Sequence, residues 1–236
     1  MTPENIKTND IEREIKDIIS FPEDHFIEII REVGFECNSC GKCCTSEFND
    51  HVFLLDEDVE RIIEHAGKDF LRPAPYYEFC DNKGRFYVMG YALKNKSRGH
   101  CIFYTGGRCE HYDIRPLICR IYPYTLHREA DEKGNIDWRH IAGLNQHGFY
   151  YSDMNDETSE NIVKDVKKYE IAFLEQKLRF MNSIRDLFKE HSLRHSQQMY
   201  DKKMREFEKG KEIEVFVFFQ GKFEKETVSK PIIIPG

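Results

Sequence analysis

Four thiols fall within eight positions of the stretch GFECNSCGKCCTSEF: Cys37, Cys40, Cys43 and Cys44. Two residues between cysteines let the chain turn around an ion and place two thiolates on it. Here the step is taken twice, and Cys44 follows Cys43 at once. Adjacent side chains diverge in an extended chain, so Cys43 and Cys44 could serve different centres. Gly41 sits inside the loop, where a positive φ would turn backbone amides toward sulfur. Amides so placed temper the charge of thiolates and clusters. The chemistry this predicts is capture of a thiophilic metal.

Three further cysteines stand near predicted turns. Cys101 lies at a strand start, Cys109 follows the Gly106-Gly107 turn, and Cys119 sits in RPLICRIYPY. Alone, each would read as a small buried core residue. Beside a four-thiol loop they read as ligands, giving seven candidates: Cys37, Cys40, Cys43, Cys44, Cys101, Cys109 and Cys119. Seven exceed the four of one closed zinc site, which fits two centres, or one cluster with thiols to spare. Cys80, in YYEFCDNKG, has aromatic neighbours and no second cysteine nearby; core packing and ligation read equally well for it. The double C-x2-C step is similar to the loop of bacterial ferredoxins, without the x3-C-P continuation. Zinc and an iron–sulfur cluster therefore both remain open as the cofactor.

The segments CNSCGKCC, CIFY and CEHYDIRPLICRIYPY together resemble the CxxCxxCC cysteine-cluster family, a zinc- or iron-chelating domain. The family pattern falls on the seven cysteines above and on Tyr112, Arg115, Pro116, Arg120 and Pro123, and FLLDEDVERI looks like the family's stretch after the cysteine loop. The resemblance covers about residues 35 to 145. It implies kinship with flagellin lysine methylases, and so a cluster-dependent methyl transfer from S-adenosylmethionine onto a protein substrate. Many members carry a further Cys-x-Gly. Here Ile141 stands in that place, so one ligand is absent or His140 or His147 replaces it. This departure puts transfer of the methylase activity in doubt. Three functions are in play: a metal-cluster enzyme of methyl-transfer or redox type, a structural zinc module for protein–protein interaction, and a metal-handling protein. The first predicts a pocket beside the metal, the second a closed four-ligand site.

Charged and aromatic residues crowd the motif. Arg115 and Arg120 belong to it and are expected to offset thiolate charge from a second shell; Lys42 and Arg108 read equally well as solvated surface. His100 and His111 stand within two residues of a cysteine but read first as hydrogen-bonded side chains. Tyr104, Tyr112, Tyr122 and Tyr124 read first as core residues with surface hydroxyls, with shielding of a metal as the alternative. The chain has no glycine-rich phosphate loop and no paired-histidine zinc-protease step.

The elements that must position these groups follow from periodicity. Residues 9 to 34 read as two short helices, the second with Ser20 as N-cap, Pro22 in the first turn and Gly34 at its end. DEDVERIIEHAG reads as a helix capped by Asp56 and stopped at Gly67. Residues 76 to 104 read as strands, TLHREADEKGNIDWRHI as a hairpin around Lys133-Gly134-Asn135, and 156 to 209 as helix. EIEVFVFFQGKFEKETV reads as a last hairpin and SKPIIIPG as a loose end. All eight cysteines precede position 120. The expected fold is α+β: N-terminal helices over 1–34, a cysteine-rich metal module with short helices and a small antiparallel sheet over 35–150, and a helical region with a terminal β-hairpin over 151–236.

With 236 residues the chain can bury a core without covalent staples. Its charged N-terminal stretch does not read as a signal peptide, and no run is apolar enough to span a bilayer. The expectation is a cytoplasmic protein, where clustered cysteines serve metal or redox chemistry sooner than disulfides; paired cysteines of the hyperthermophile kind are the lesser alternative. A formal net charge of −7 argues against nucleic-acid binding. No membrane contact is expected, and the partner foreseen is a protein.

Overall fold

The computed structural model describes residues 8–44, 51–96, 99–130, 136–141 and 147–229, with backbone alone for 127–130 and 136–141. Two amphipathic helices come first, α1 (Thr8–Ser20) and α2 (Glu23–Val33). Their apolar residues recur at three- and four-residue steps, so Ile11 and Ile18 share one buried face and Phe26, Ile30 and Val33 another. Ser20 is not the N-cap of α2. It is the last helical residue of α1, its hydroxyl donating to the Asp17 carbonyl, and Pro22 takes the cap position without a side-chain bond. Gly34 ends α2 at φ 50°, its N–H donating to Ile30 O at 2.8 Å. Helix α3 (Asp56–His65) starts one residue earlier than a cap at Asp56 would allow, with Leu55 as N-cap. It ends at His65, and the N–H groups of Ala66 and Gly67 both reach Ile62 O.

The strands that follow are short: β1 (Leu71–Pro73), β2 (Phe79–Cys80), β3 (Phe86–Val88), β4 (Tyr91–Leu93), β5 (Tyr104–Thr105) and β6 (Arg108–Cys109). A one-turn helix, α4 (Leu117–Ile121), leads to the hairpin β7 (Tyr124–Ala130) and β8 (Ile136–Ile141). The turn expected at Lys133-Gly134-Asn135 lies outside the described residues, as does SKPIIIPG from residue 230 onward.

The helical second half is α5 (Asp156–Glu190) and α6 (Gln197–Glu208), followed by β9 (Ile213–Phe219) and β10 (Lys222–Val228). The side chain of Asn155 caps α5 through Thr158 N–H at 2.8 Å, and Ser196 caps α6 through Met199 N–H at 3.2 Å. The chain is thus an α+β protein with a helical C-terminal region. The terminal hairpin does not stand apart: β9 runs parallel to β3, giving a sheet in the order β10-β9-β3-β2. This parallel seam was not anticipated. It pairs Phe86 with Val215 and Val88 with Val217, all fully buried. Helix α5 packs against α1, α2 and α4. Ile18, Tyr87, Phe180 and Phe218, from four distant parts of the chain, belong to one apolar cluster. Burial of each such side chain is worth about 1.5–3 kcal/mol, so this cluster anchors the segments that carry the cysteines.

Candidate metal centre

The cysteine loop hangs from the end of α2. Phe35 N–H donates to the Tyr124 hydroxyl at 3.1 Å, and Glu36 exchanges two 2.9 Å backbone bonds with Phe149. Beyond this clamp the chain turns on local bonds: Cys40 N–H to Asn38 Oδ1 at 3.2 Å, and Ser39 N–H to Cys37 Sγ at 3.4 Å. Gly41 has φ 74°, as its place in the loop suggested, and a Cβ there would run into the Tyr104 ring. A 3-10 turn over Lys42–Cys44 follows, with Cys44 N–H on Gly41 O.

The second and third segments are tied to the first. Cys101 N–H donates to Cys44 O at 2.7 Å. Cys109 lies on β6, opposite Tyr104 of β5. Cys119 lies in α4, its N–H on Pro116 O at 2.9 Å. As a result Cys37, Cys40, Cys43, Cys44, Cys101, Cys109 and Cys119 all line one cavity of about 460 Å³. Cys37 and Cys40 are exposed at its edge, whereas Cys101 is buried. Cys80 is elsewhere: it is fully buried in β2, its thiol 3.6 Å from the Asp81 carbonyl oxygen.

The rest of the lining corrects several expectations. Tyr104, Tyr112, Tyr122 and Tyr124 are cavity walls as well as packing residues. Tyr124 is sealed, its hydroxyl accepting from Phe35 N–H and donating to Ile30 O. Arg115 and Arg120 both line the cavity, but in different states. Arg115 stacks 3.4 Å above the Tyr112 ring and its charge favours the thiolate forms of Cys43 and Cys109. Arg120 reaches away to Asp165, at 2.6 Å. His51 and His147 line the cavity; His100 and His111 do not, His100 stacking on Tyr104 and His111 packing at a tilt against Phe103. His51 escaped sequence reasoning because a lone histidine carries no spacing signal. The side chains of His140 and Ile141 lie outside the described residues.

Cys43, Cys101, Cys109 and Cys119 resist ionisation. Cys43 is pushed up by its hydrogen bond with Cys44, then by burial. Burial leads for Cys101, Cys109 and Cys119, and the neighbouring thiols add to it. Crowded groups that would all become anions in a low dielectric need a cation between them. Donor type and number therefore fit a thiophilic metal. The geometry is not closed: among the described residues, no three His, Cys, Asp or Glu side chains already converge as around an ion. Nor is any described helix long and apolar enough to cross a membrane.

Comparison with known proteins agrees with this chemistry. No solved structure matches the chain. An uncharacterized protein of Methanocaldococcus jannaschii is 33% identical over 97 residues, which are 40% of this chain and 47% of that protein. The chain thus matches about half the length of that relative. Residues 36–142, the stretch that supplies every thiol of the cavity, match the CxxCxxCC family model, described as "Putative zinc- or iron-chelating domain".

Proposed function

We propose that the chain holds zinc or an iron–sulfur cluster at the wall of an open cavity, with Cys37, Cys40, Cys43, Cys44, Cys101, Cys109 and Cys119 as the ligand set. The observation that carries this reading is the gathering of seven thiols, from three separate chain segments, on one cavity, while the eighth is sealed elsewhere. Seven thiols outnumber the ligands of a closed structural zinc site, which supports a cluster or a pair of centres.

The volume supports an accessible centre over a closed structural one. A single ion takes up no more room than a water molecule, about 30 Å³. The cavity, at about 460 Å³, is of a size that admits a small molecule or a side chain beside the metal. Its lining also includes Ile118, Met154 and Ile162, which exclude water without competing for the ion. When bound, a thiolate-held cluster would supply electron transfer and zinc would supply Lewis-acid chemistry. Arg115 would offset the thiolate charge. We do not extend the reading to S-adenosylmethionine, for which the sequence carries no glycine-rich cofactor loop.

The test is elemental analysis and an absorption spectrum on the full chain, purified without oxygen and without a metal-affinity tag. Broad visible absorption with iron and sulfide, or colourless protein with stoichiometric zinc, is the expected result, and Cys40→Ser lowers metal content in either case. A protein that carries no metal and takes up neither zinc nor iron with sulfide would overturn the reading.

A further inference from the structure

We propose that Asp58 is a positioning residue of the metal centre: reaching across from α3, it fixes the turn that carries Cys119 and so sets where that thiol enters the cavity. This rests on the metal-binding reading above.

Asp58 looks in sequence like one more acid of DEDVE, yet it is 1% exposed. Both carboxylate oxygens accept from Leu117 N–H, at 3.2 and 3.3 Å. The same carboxylate pairs closely with Arg61 of its own helix. Arg61 in turn donates to the Arg115 carbonyl at 3.2 Å. The pair thus grips both ends of Arg115-Pro116-Leu117.

Helix α4 needs that grip. It is five residues long, too short to hold itself, and its cap residue Pro116 offers neither an N–H nor a side-chain acceptor. The missing cap is supplied by a residue far upstream in the chain. Cys119 belongs to the same turn through its bond to Pro116 O. A residue that only stabilised the fold would weaken every ligand alike. One that positions Cys119 acts through Cys119 alone.

A double-mutant cycle on the full chain separates these cases. Wild type, Asp58→Asn, Cys119→Ser and the double variant are titrated anaerobically with Co(II), reading thiolate-to-cobalt charge transfer. In parallel they are reconstituted with ferrous iron and sulfide, reading cluster absorbance. Asp58→Asn is expected to weaken metal binding about 10- to 100-fold, and to lower the charge-transfer intensity per cobalt as Cys119→Ser does. In the Cys119→Ser background it should change affinity by no more than about twofold. An Asp58→Asn effect that is absent, or that persists in full without Cys119, overturns the proposal. Should Asp58→Asn fail to fold, Arg61→Gln, which removes the Arg115 carbonyl contact, carries the same cycle with a smaller effect of the same sign. Wild type that loads neither cobalt nor iron with sulfide overturns the metal reading itself, and the role of Asp58 with it.

Discussion

The thiol cavity and the seam between β2, β3 and α6 are built from the same residue types, and they differ in whether the protein finishes their bonding. In the seam, Asp81 is fully buried and takes the N–H groups of Lys83 and Arg85, the Arg85 guanidinium and the Tyr87 hydroxyl. Cys80 beside it donates its N–H to His195 Nδ1. Cysteine, aspartate, histidine and tyrosine here close on one another. In the cavity, seven thiols face a shared space with arginine, histidine and tyrosine around it, and no three ligating side chains among the described residues converge. A buried polar group whose partners are all protein is structural; thiols that face a cavity have room for a ligand beside them. Residue type did not separate Cys80 from Cys119. Surroundings did.

The sharpest break of that comparison is a pair of conservative changes. Cys119→Ser should remove most bound metal and, with it, the stability that metal binding adds. Cys80→Ser should leave metal stoichiometry untouched and cost about 1–2 kcal/mol in denaturant unfolding, as a polar group forced into a sealed site. If Cys80→Ser lost metal as well, the two regions would not be chemically distinct.

Asp81, in the same seam, should show a stability effect with no loss of metal. Asp81→Asn exchanges an anion held by four donors for a neutral amide, and should cost about 2–4 kcal/mol by urea denaturation of the metal-free protein, with metal content per folded chain unchanged.

The last effect is one of pH. Glu78, next to β2, is held up at about 8 from an ordinary 4.5 by burial, and among the described residues its Oε2 has no hydrogen-bond partner. A carboxyl whose folded pKa lies above its unfolded one binds more protons when folded. Its contribution is fully present below about pH 4.5, is lost as pH rises toward 8 and is flat beyond. Glu78→Gln should therefore remove this slope and gain about 1–3 kcal/mol over wild type at pH 9, with little difference at pH 4. Metal affinity should be unchanged at either pH, which would tie this titration to the seam and not to the cavity.

Much of the cavity could be read in advance because its chemistry is local. C-x2-C spacing constrains four thiols by chain geometry alone, and the motif around Cys109 and Cys119 extended the set. Other parts were illegible for physical reasons. The direction in which a strand is paired leaves no mark on that strand, so VFVFF could be recognised as β but not as the parallel neighbour of β3. Ser20 misled because a serine at a helix end fits equally a last turn and a first cap. Asp58 was hidden among acids that favour any helix N-terminus. The four tyrosines were underestimated because a tyrosine that packs and one that lines a cavity have the same hydropathy.

The pairing of β3 with β9 also sets an order of events. Strand β3 and every thiol of the cavity leave the ribosome long before β9 is made, and synthesis proceeds at about 5–20 residues per second. For that interval the cysteine segments lack the sheet edge and the α5 surface that later hold them in place, and such distant pairings are slow to close. The nascent chain therefore presents its thiols to the surrounding solution as an unroofed set until the later-made β9 pairs with β3 and locks the sheet.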